Sequence, residues 1–485
     1  MPKKETLIII LLCFISRLPQ LLSPDLMLDG DECVVAVMAK HLYEGRELPL
    51  YFYGQSYGFS FIEVLFIDLH YLLFGISDIS VKLAMLLMWT IGILLFYKTL
   101  LLLNLKNNYI PFCITLIFIC APAWAVWSMK ARGGYLTAFL ISYLITYLIF
   151  NERISKKAGF WLLSGVLLVV LFESHALWIP GILPIVVYGL YVTGKKPNIL
   201  YLLTGMIVSA AAFFLIKSSL TNVWTPQVLD LESGFLHPLT DLPRRIFINF
   251  TGSYYLAWNV DRHWITTVWA ACFTVLAFLS LFIFLPYLLK KKPSRLLYVF
   301  GLSFVFSMSY ILILGDNAAR YLLPLSCYFL FLLAIMADEL RPAILVKGLT
   351  TFFFISGLCS LYTFKDFRYK AHTKENVVHL IDALTSRNIH HVYCGNALLQ
   401  WQIMFYSKED VIARFTSYGE RYPKNLKKVN DAFRDNKASV AVTGTLPQRS
   451  PYWKHYINID DQFYINENPS DILLFNYGYD LKDKP

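Results

Sequence analysis

The apolar residues of this chain are gathered into blocks of about 17–25 residues, divided by short charged stretches, and a block of that length crosses a bilayer as a helix. Candidate spans lie at 6–22, 80–103, 110–128, 135–150, 158–174, 177–193, 198–217, 264–289, 296–314, 321–337 and 343–363. Composition agrees: 57% of the 485 residues are hydrophobic and 16% charged. A soluble protein carries about 45–50% apolar and about 25% charged residues. The expected architecture is therefore a polytopic α-helical membrane protein with about eleven transmembrane helices.

The formal charge of +10 does not point to nucleic acid. The cations form short clusters between apolar blocks: Lys98 with Lys106, Arg153 with Lys156-Lys157, Lys195-Lys196, Lys290-Lys291-Lys292 with Arg295, and Arg341 with Lys347. Each cluster falls in every second connection, as the positive-inside rule requires if the N-terminus is cytoplasmic. The N-terminal apolar run has no small-x-small cleavage site after it, so it reads as a retained first span. The segment from Phe61 to Ile76 is the exception. Counted as a span, it would put every later cluster outside. It is short and carries Glu63, Asp68 and His70, so it reads as a helix on the outer membrane surface. The eight cysteines form no C-x-x-C pair and read as small buried apolar groups.

Three extracytoplasmic regions follow: 23–79, 218–263 and the tail 364–485. The tail turns polar. It alternates helix-like stretches (Glu375–Arg387, Ala397–Ser407, Leu426–Asp435) with extended ones (His391–Cys394, Val411–Phe415, Ser439–Thr443), which predicts a small extracytoplasmic α/β domain. The catalytic module is then 1–363 and the tail domain 364–485.

Asp29-Gly30-Asp31-Glu32 places three carboxylates just past the first span. A carboxylate there could take a proton from an attacking hydroxyl, or could simply cap the helix that follows. Flanking it are Lys40-His41-Leu42-Tyr43-Glu44-Gly45, Pro49-Leu50-Tyr51, Tyr53-Gly54-Gln55-Ser56-Tyr57-Gly58, Leu73-Phe74-Gly75-Ile76-Ser77 and Val81-Lys82-Leu83. This arrangement resembles the C-type (GT-C fold) membrane glycosyltransferases related to protein O-mannosyltransferases and the aminoarabinose transferase of lipid A. The resemblance covers most of 7–135. It implies that Asp31 is the catalytic acid group, with Asp29 in reserve, and that 61–76 is a juxtamembrane helix.

Many relatives place an acid in the next outward loop, where this chain has Lys130-Ala131-Arg132-Gly133-Gly134-Tyr135. That departure counts against a second carboxylate and a two-carboxylate metal site. Lys130 and Arg132 suit a phosphodiester instead. Glu173-Ser174-His175 ends another outward span. Arg320, in Arg320-Tyr321-Leu322-Leu323-Pro324, matches an R-Y-x-x-P pattern of the same family, and the resemblance implies contact with the lipid-linked phosphate. Asp316 is placed either to orient it or to cap the helix that follows. Substrate contacts are thus expected from Glu32, Tyr57, Lys130, Arg132, Tyr135, Glu173, His175 and Arg320, with no cofactor and no metal indicated. Asp241, Arg244, Arg245, Asp261, Arg262 and His263 read as a solvated loop, and His390-His391 with Cys394 as fold residues.

The expected activity is transfer of a monosaccharide from a polyprenyl-phosphate carrier to an extracytoplasmic hydroxyl on a glycan, lipid or protein. The rivals are a secondary transporter, which would show repeats and midplane charges, and a noncatalytic envelope assembly component.

Overall fold

The computed structural model describes residues 3–194, 196–218, 240–252, 263–291, 294–314, 319–340, 343–363, 373–415, 421–435, 439–443, 457–459 and 463–466. Asp261, Arg262 and Asp316 lie outside the described residues, as does the boundary expected near residue 364.

The chain is a polytopic helical bundle. Among the described residues, seven helices are long and apolar enough to cross a membrane, against the eleven expected. The difference has two sources. Lys3–Ile15, Ile110–Cys120 and Tyr135–Phe150 are short apolar helices of 13, 11 and 16 residues. Ala158–Thr193 is one apolar stretch of 36 residues. As a straight helix it would measure about 54 Å, well beyond a core of about 30 Å. It does not run straight. His175 is extended, at φ −163° and ψ 101°, and a single 3-10 turn, Ala176–Trp178, joins Ala158–His175 to Ile179–Thr193.

The first helix stops at Ile15, short of the expected 22. Arg17 follows, fully buried, and its guanidinium donates to Ser128 Oγ (3.0 Å), Ser16 Oγ (2.7 Å) and the carbonyls of Ile119 (2.7 Å) and Trp124 (3.3 Å). It also lies 4.5 Å over the Trp89 ring. A buried cation held this way ties the first helix to the turn Trp124–Trp127.

Helix–helix contact is closest where side chains vanish. A Cβ on Gly165 would come 2.1 Å from the Leu202 carbonyl, and one on Gly205 2.1 Å from the Leu162 carbonyl, so Ala158–His175 and Lys196–Ser218 meet backbone to backbone. The central helix is Arg320–Leu340, almost wholly buried in protein, whereas Pro197–Ser218 presents most of its residues outward.

Phe61–Phe74 is a 14-residue helix, too short to span a bilayer. Glu63, Val64, Ile67 and Tyr71 are buried, while Leu65, Leu69, Leu72, Leu73 and Phe74 are exposed. That is an amphipathic helix with an outer apolar face.

The C-terminal unit is an α/β sheet of five strands: β1 His391–Cys394, β2 Ile412–Phe415, β3 Ser439–Thr443, β4 Ile457–Ile459 and β5 Phe463–Asn466. Their order is β2-β1-β3-β5-β4. β1 pairs parallel with β2 and β3, and β5 pairs antiparallel with β3 and β4. Helices Ala397–Tyr406 and Pro423–Arg434 supply the β1–β2 and β2–β3 crossovers, and Lys374–Thr385 leads into β1. Strands β4 and β5 were not among the expected elements. Ala397–Tyr406 packs on Gly30–Tyr43, and Gln402 Nε2 donates to the Leu28 carbonyl at 3.0 Å.

Candidate active site

Helix Gly30–Tyr43 starts on Asp29, whose side chain accepts from the Glu32 N–H at 2.9 Å while Glu32 accepts from the Asp29 N–H at 3.1 Å. This capping box occupies two of the three acids. Lys130 donates to the free oxygen of Asp29 and lies 3.7 Å from Glu32. Lys82 lies 2.5 Å from the other Glu32 oxygen, both side chains being only 1% exposed. Asp29, the reserve base, is therefore spent on helix start and ion pairing.

Asp31 is different. Its two oxygens meet two guanidiniums: Arg132 Nη2 at 2.9 Å from Oδ2 and Arg421 Nη1 at 3.0 Å from Oδ1. Burial works against the ionised form, but Arg132, Arg421 and Lys130 outweigh it and hold the carboxyl below its ordinary range. Its side chain keeps 11% exposure, close to the 13% of Asp29 and against 1% for Glu32, but unlike those two acids it takes no part in the capping box. Tyr57 belongs to the same cluster. Burial pushes its phenol up, and Arg421, Tyr135, Arg132 and Asp31 all act on it.

The turn bearing Arg132 is shaped by glycine. Gly133 (φ +53°) and Gly134 (φ +90°) are both left-handed. A Cβ on Gly134 would sit 2.8 Å from the carbonyls of Phe59 and Ser174, and one on Gly58 2.8 Å from the Gly133 carbonyl. Three loops, around Tyr57, Arg132 and Ser174, thus close on one point. Glu63, fully buried, supports them from below: Oε1 accepts from the N–H groups of Leu136 (3.0 Å) and Thr137 (3.3 Å), at the start of helix Tyr135–Phe150. Burial pushes its carboxyl up to about 7.

Tyr135 carries the cluster onward. Arg320 Nε donates to its hydroxyl at 3.0 Å, and the His175 ring stands edge-on at 4.1 Å. These residues, with Trp124, Trp127, Leu136, Leu177, Trp178, Leu323 and Pro324, line a cleft of about 280 Å³. His175 Nδ1 is buried there without a hydrogen-bond partner. Trp124 is shared with a second cleft of about 270 Å³, and Phe250 and Ser326 join that one to a third of about 330 Å³ walled by Ile246, Leu281, Phe304 and Phe329. Tyr135, His175 and Arg320 edge the first cleft, and the other two are lined by apolar side chains apart from Ser326 and Asn249.

Of the expected residues, Asp31, Arg132, Tyr57, Tyr135, His175 and Arg320 come together. Lys130 and Glu173 do not reach the cleft. Lys130 is buried against Asp29 and Glu32, and Glu173 pairs with Lys217 (2.6 Å) and accepts from the Tyr51 hydroxyl (2.9 Å). The sequence reading noted Lys82 and Glu63 without giving them a place in the site, and it missed Arg421. The first two carried a signal, a charge set inside an apolar run. Arg421 carried none. Among the described residues no group of three or more His, Cys, Asp or Glu side chains is arranged to hold a metal ion.

Solved structures share this architecture. ArnT from Cupriavidus metallidurans bound to undecaprenyl phosphate superposes with TM-score 0.59 over 97% of this chain and 99% of that one, at 11% identity. Its apo state gives TM-score 0.59, 12% identity, and 96% and 98% coverage. The chain has the GT-C fold of ArnT. A mycobacterial arabinofuranosyltransferase, AftD, gives 0.48 at 14% identity, over 81% of this chain and 29% of that one. No protein-family model matches the sequence, and no curated protein matches it.

Proposed function

We propose that this GT-C chain is a glycosyltransferase that moves a monosaccharide from a polyprenyl-phosphate carrier to an acceptor hydroxyl on the extracytoplasmic side. The carrying observation is that Asp31 pairs with Arg132, that the double-glycine turn leads from Arg132 directly to Tyr135, and that Tyr135 and its partner Arg320 line the first of the linked clefts. The ArnT structure bound to undecaprenyl phosphate supports the choice of carrier. In this reading residues 1–363 form the catalytic module and 364–485 an extracytoplasmic domain.

The acceptor O–H gives its proton to Asp31 as its oxygen bonds to the anomeric carbon. The bond from that carbon to the phosphate oxygen breaks, with inversion, and polyprenyl phosphate leaves with the electron pair. Arg320 holds the departing phosphate with the help of His175 and Tyr135, because a guanidinium matches phosphate oxygens bidentately. The carrier's tail lies in the clefts around Phe250 and Phe304. The loss of one positioned acid–base group costs about 10²–10⁴-fold in rate.

The test is release of polyprenyl phosphate from lipid-linked sugars by the purified protein, its Asp31→Asn variant and its Arg320→Ala variant. Each variant is expected to fall by at least about 100-fold. Unchanged turnover in both would remove the assignment, and an inactive wild type across carrier-linked pentoses and hexoses would remove the function.

A further inference from the structure

Resting on the reading of Asp31 as the base, we propose that Arg421 is a positioning residue for that carboxylate, so that the catalytic site is complete only when the C-terminal unit is docked.

Asp31 is gripped from two directions. Arg132 comes from the helical bundle's own turn and takes Oδ2; Arg421 comes from the C-terminal unit, 390 residues further along the chain, and takes Oδ1. Together they set the plane of the carboxylate and keep it ionised. Each oxygen still has a second lone pair, so the acceptor's proton can be taken without either arginine leaving.

The approach of Arg421 is built into the first loop. Gly54 is left-handed (φ +74°), and a Cβ there would lie 2.6 Å from the Arg421 Cα. The guanidinium lies 5.1 Å over the Phe52 ring. On the other side, Tyr422 stacks on Tyr53 at 4.7 Å, Lys424 lies 2.7 Å from Glu47, and Pro423 opens the helix Pro423–Arg434. Arg421 is thus the tip of a docked edge fixed on both flanks. A cation held only by Asp31 would be a surface ion pair of little consequence. This one is placed by backbone fit, ring stacking and a neighbouring ion pair.

The experiment uses the full-length protein and follows turnover of a polyprenyl-phosphate sugar across pH, for wild type, Arg421→Ala, Arg421→Lys, Gly54→Ala and Asp31→Asn. Removing one of the nearby cations lets the Asp31 carboxyl hold its proton to higher pH. The acidic limb of kcat/KM is expected to move up by about one pH unit in Arg421→Ala, with kcat lowered about tenfold. Arg421→Lys restores the limb, because it restores charge, but not the full rate. Gly54→Ala shifts the limb the same way by less, since it moves the Arg421 backbone and leaves its chemistry intact. A merely structural role would lower the active fraction and leave the limb where it is. An unshifted limb in Arg421→Ala, whatever its rate, overturns the proposal. If Asp31→Asn is inactive while that limb stays put, only the role of Arg421 falls. If Asp31→Asn turns over like wild type, the base assignment falls first and takes this proposal with it.

Discussion

The two ends of helix Gly30–Tyr43 both bury charge, in opposite senses. At the N-terminal end the helix supplies the acids Asp29, Asp31 and Glu32, and Lys82, Lys130, Arg132 and Arg421 answer from elsewhere. At the C-terminal end the helix supplies the cations. Lys40 lies 2.6 Å from Glu409, and His41 lies 2.9 Å from Glu409 and 3.1 Å from Glu47. Each arrangement follows the helix dipole, acids at its positive end and cations at its negative end. The difference lies in what surrounds the charge. The C-terminal end is a closed staple, with Tyr53 (2.7 Å from His41 Nδ1), Tyr422, Arg46, Glu44 and Lys424 filling its edges. At the N-terminal end Asp29 and Asp31 keep 13% and 11% exposure. One helix thus offers a fixed end that docks the C-terminal unit and an end where chemistry can occur.

The comparison breaks most visibly at Lys82. Lys82→Met would leave the buried Glu32 carboxylate with the Asp29 N–H at 3.1 Å and Lys130 at 3.7 Å, and would remove its close ion pair. A loss of about 3–5 kcal/mol is expected, read as a large fall in thermal midpoint in detergent. The double variant Glu32→Gln/Lys82→Met should recover most of it. A single variant as stable as wild type would mean that the pair is not a structural lock.

Glu63 sharpens the contrast, for it is a buried acid answered by backbone N–H groups rather than by a cation. Its carboxyl is raised to about 7, so the folded state binds the proton more tightly than the unfolded chain. Its contribution is therefore largest at low pH and is lost as pH rises from the ordinary carboxyl value through about 7. Glu63→Gln should match wild type near pH 5 and be the more stable protein near pH 8, by about 2–3 kcal/mol. Parallel thermal midpoints across that range would contradict the assignment.

The smallest effect concerns the staple. Burial alone would lower the His41 pKa, but hydrogen bonds and charge from Glu409 and Glu47 raise it. The groups facing it are Glu47, Glu409, Tyr53 and Tyr422, with Lys40, Arg46 and Lys424 pairing the same acids. Its stabilisation is full below the ordinary histidine value of about 6.5 and fades as pH rises through the raised one. With the base-catalysed intrinsic rate divided out, amide protection over 421–434 should fall about tenfold across that rise in wild type and show no such step in His41→Gln. Equal pH dependence in the two proteins would assign the step to another group.

Much of this was legible in the sequence because it is local. Block length announces helices, the double glycine after Arg132 announces a turn, and Asp29 with Glu32 three residues later announces a helix start. Partnership was not legible. Lys130 and Glu173 looked like ligands because their acids and cations, Asp29 and Lys217, are distant in sequence. Arg421 precedes an ordinary surface helix, and nothing nearby hints that it ends beside Asp31. The break at His175 was legible too, because Glu173-Ser174-His175 separates the spans expected at 158–174 and 177–193, where Ala158–His175 ends and the 3-10 turn Ala176–Trp178 begins.

Gly134 is where the three site loops meet, with the carbonyls of Phe59 and Ser174 each 2.8 Å from the place its Cβ would occupy. A single added carbon would have to prise two backbone oxygens apart, and Tyr135 and Arg132, its near neighbours on either side, would be carried in different directions. On the mechanism proposed above, the distance between proton acceptor and phosphate holder is therefore governed by an atom the protein does not have.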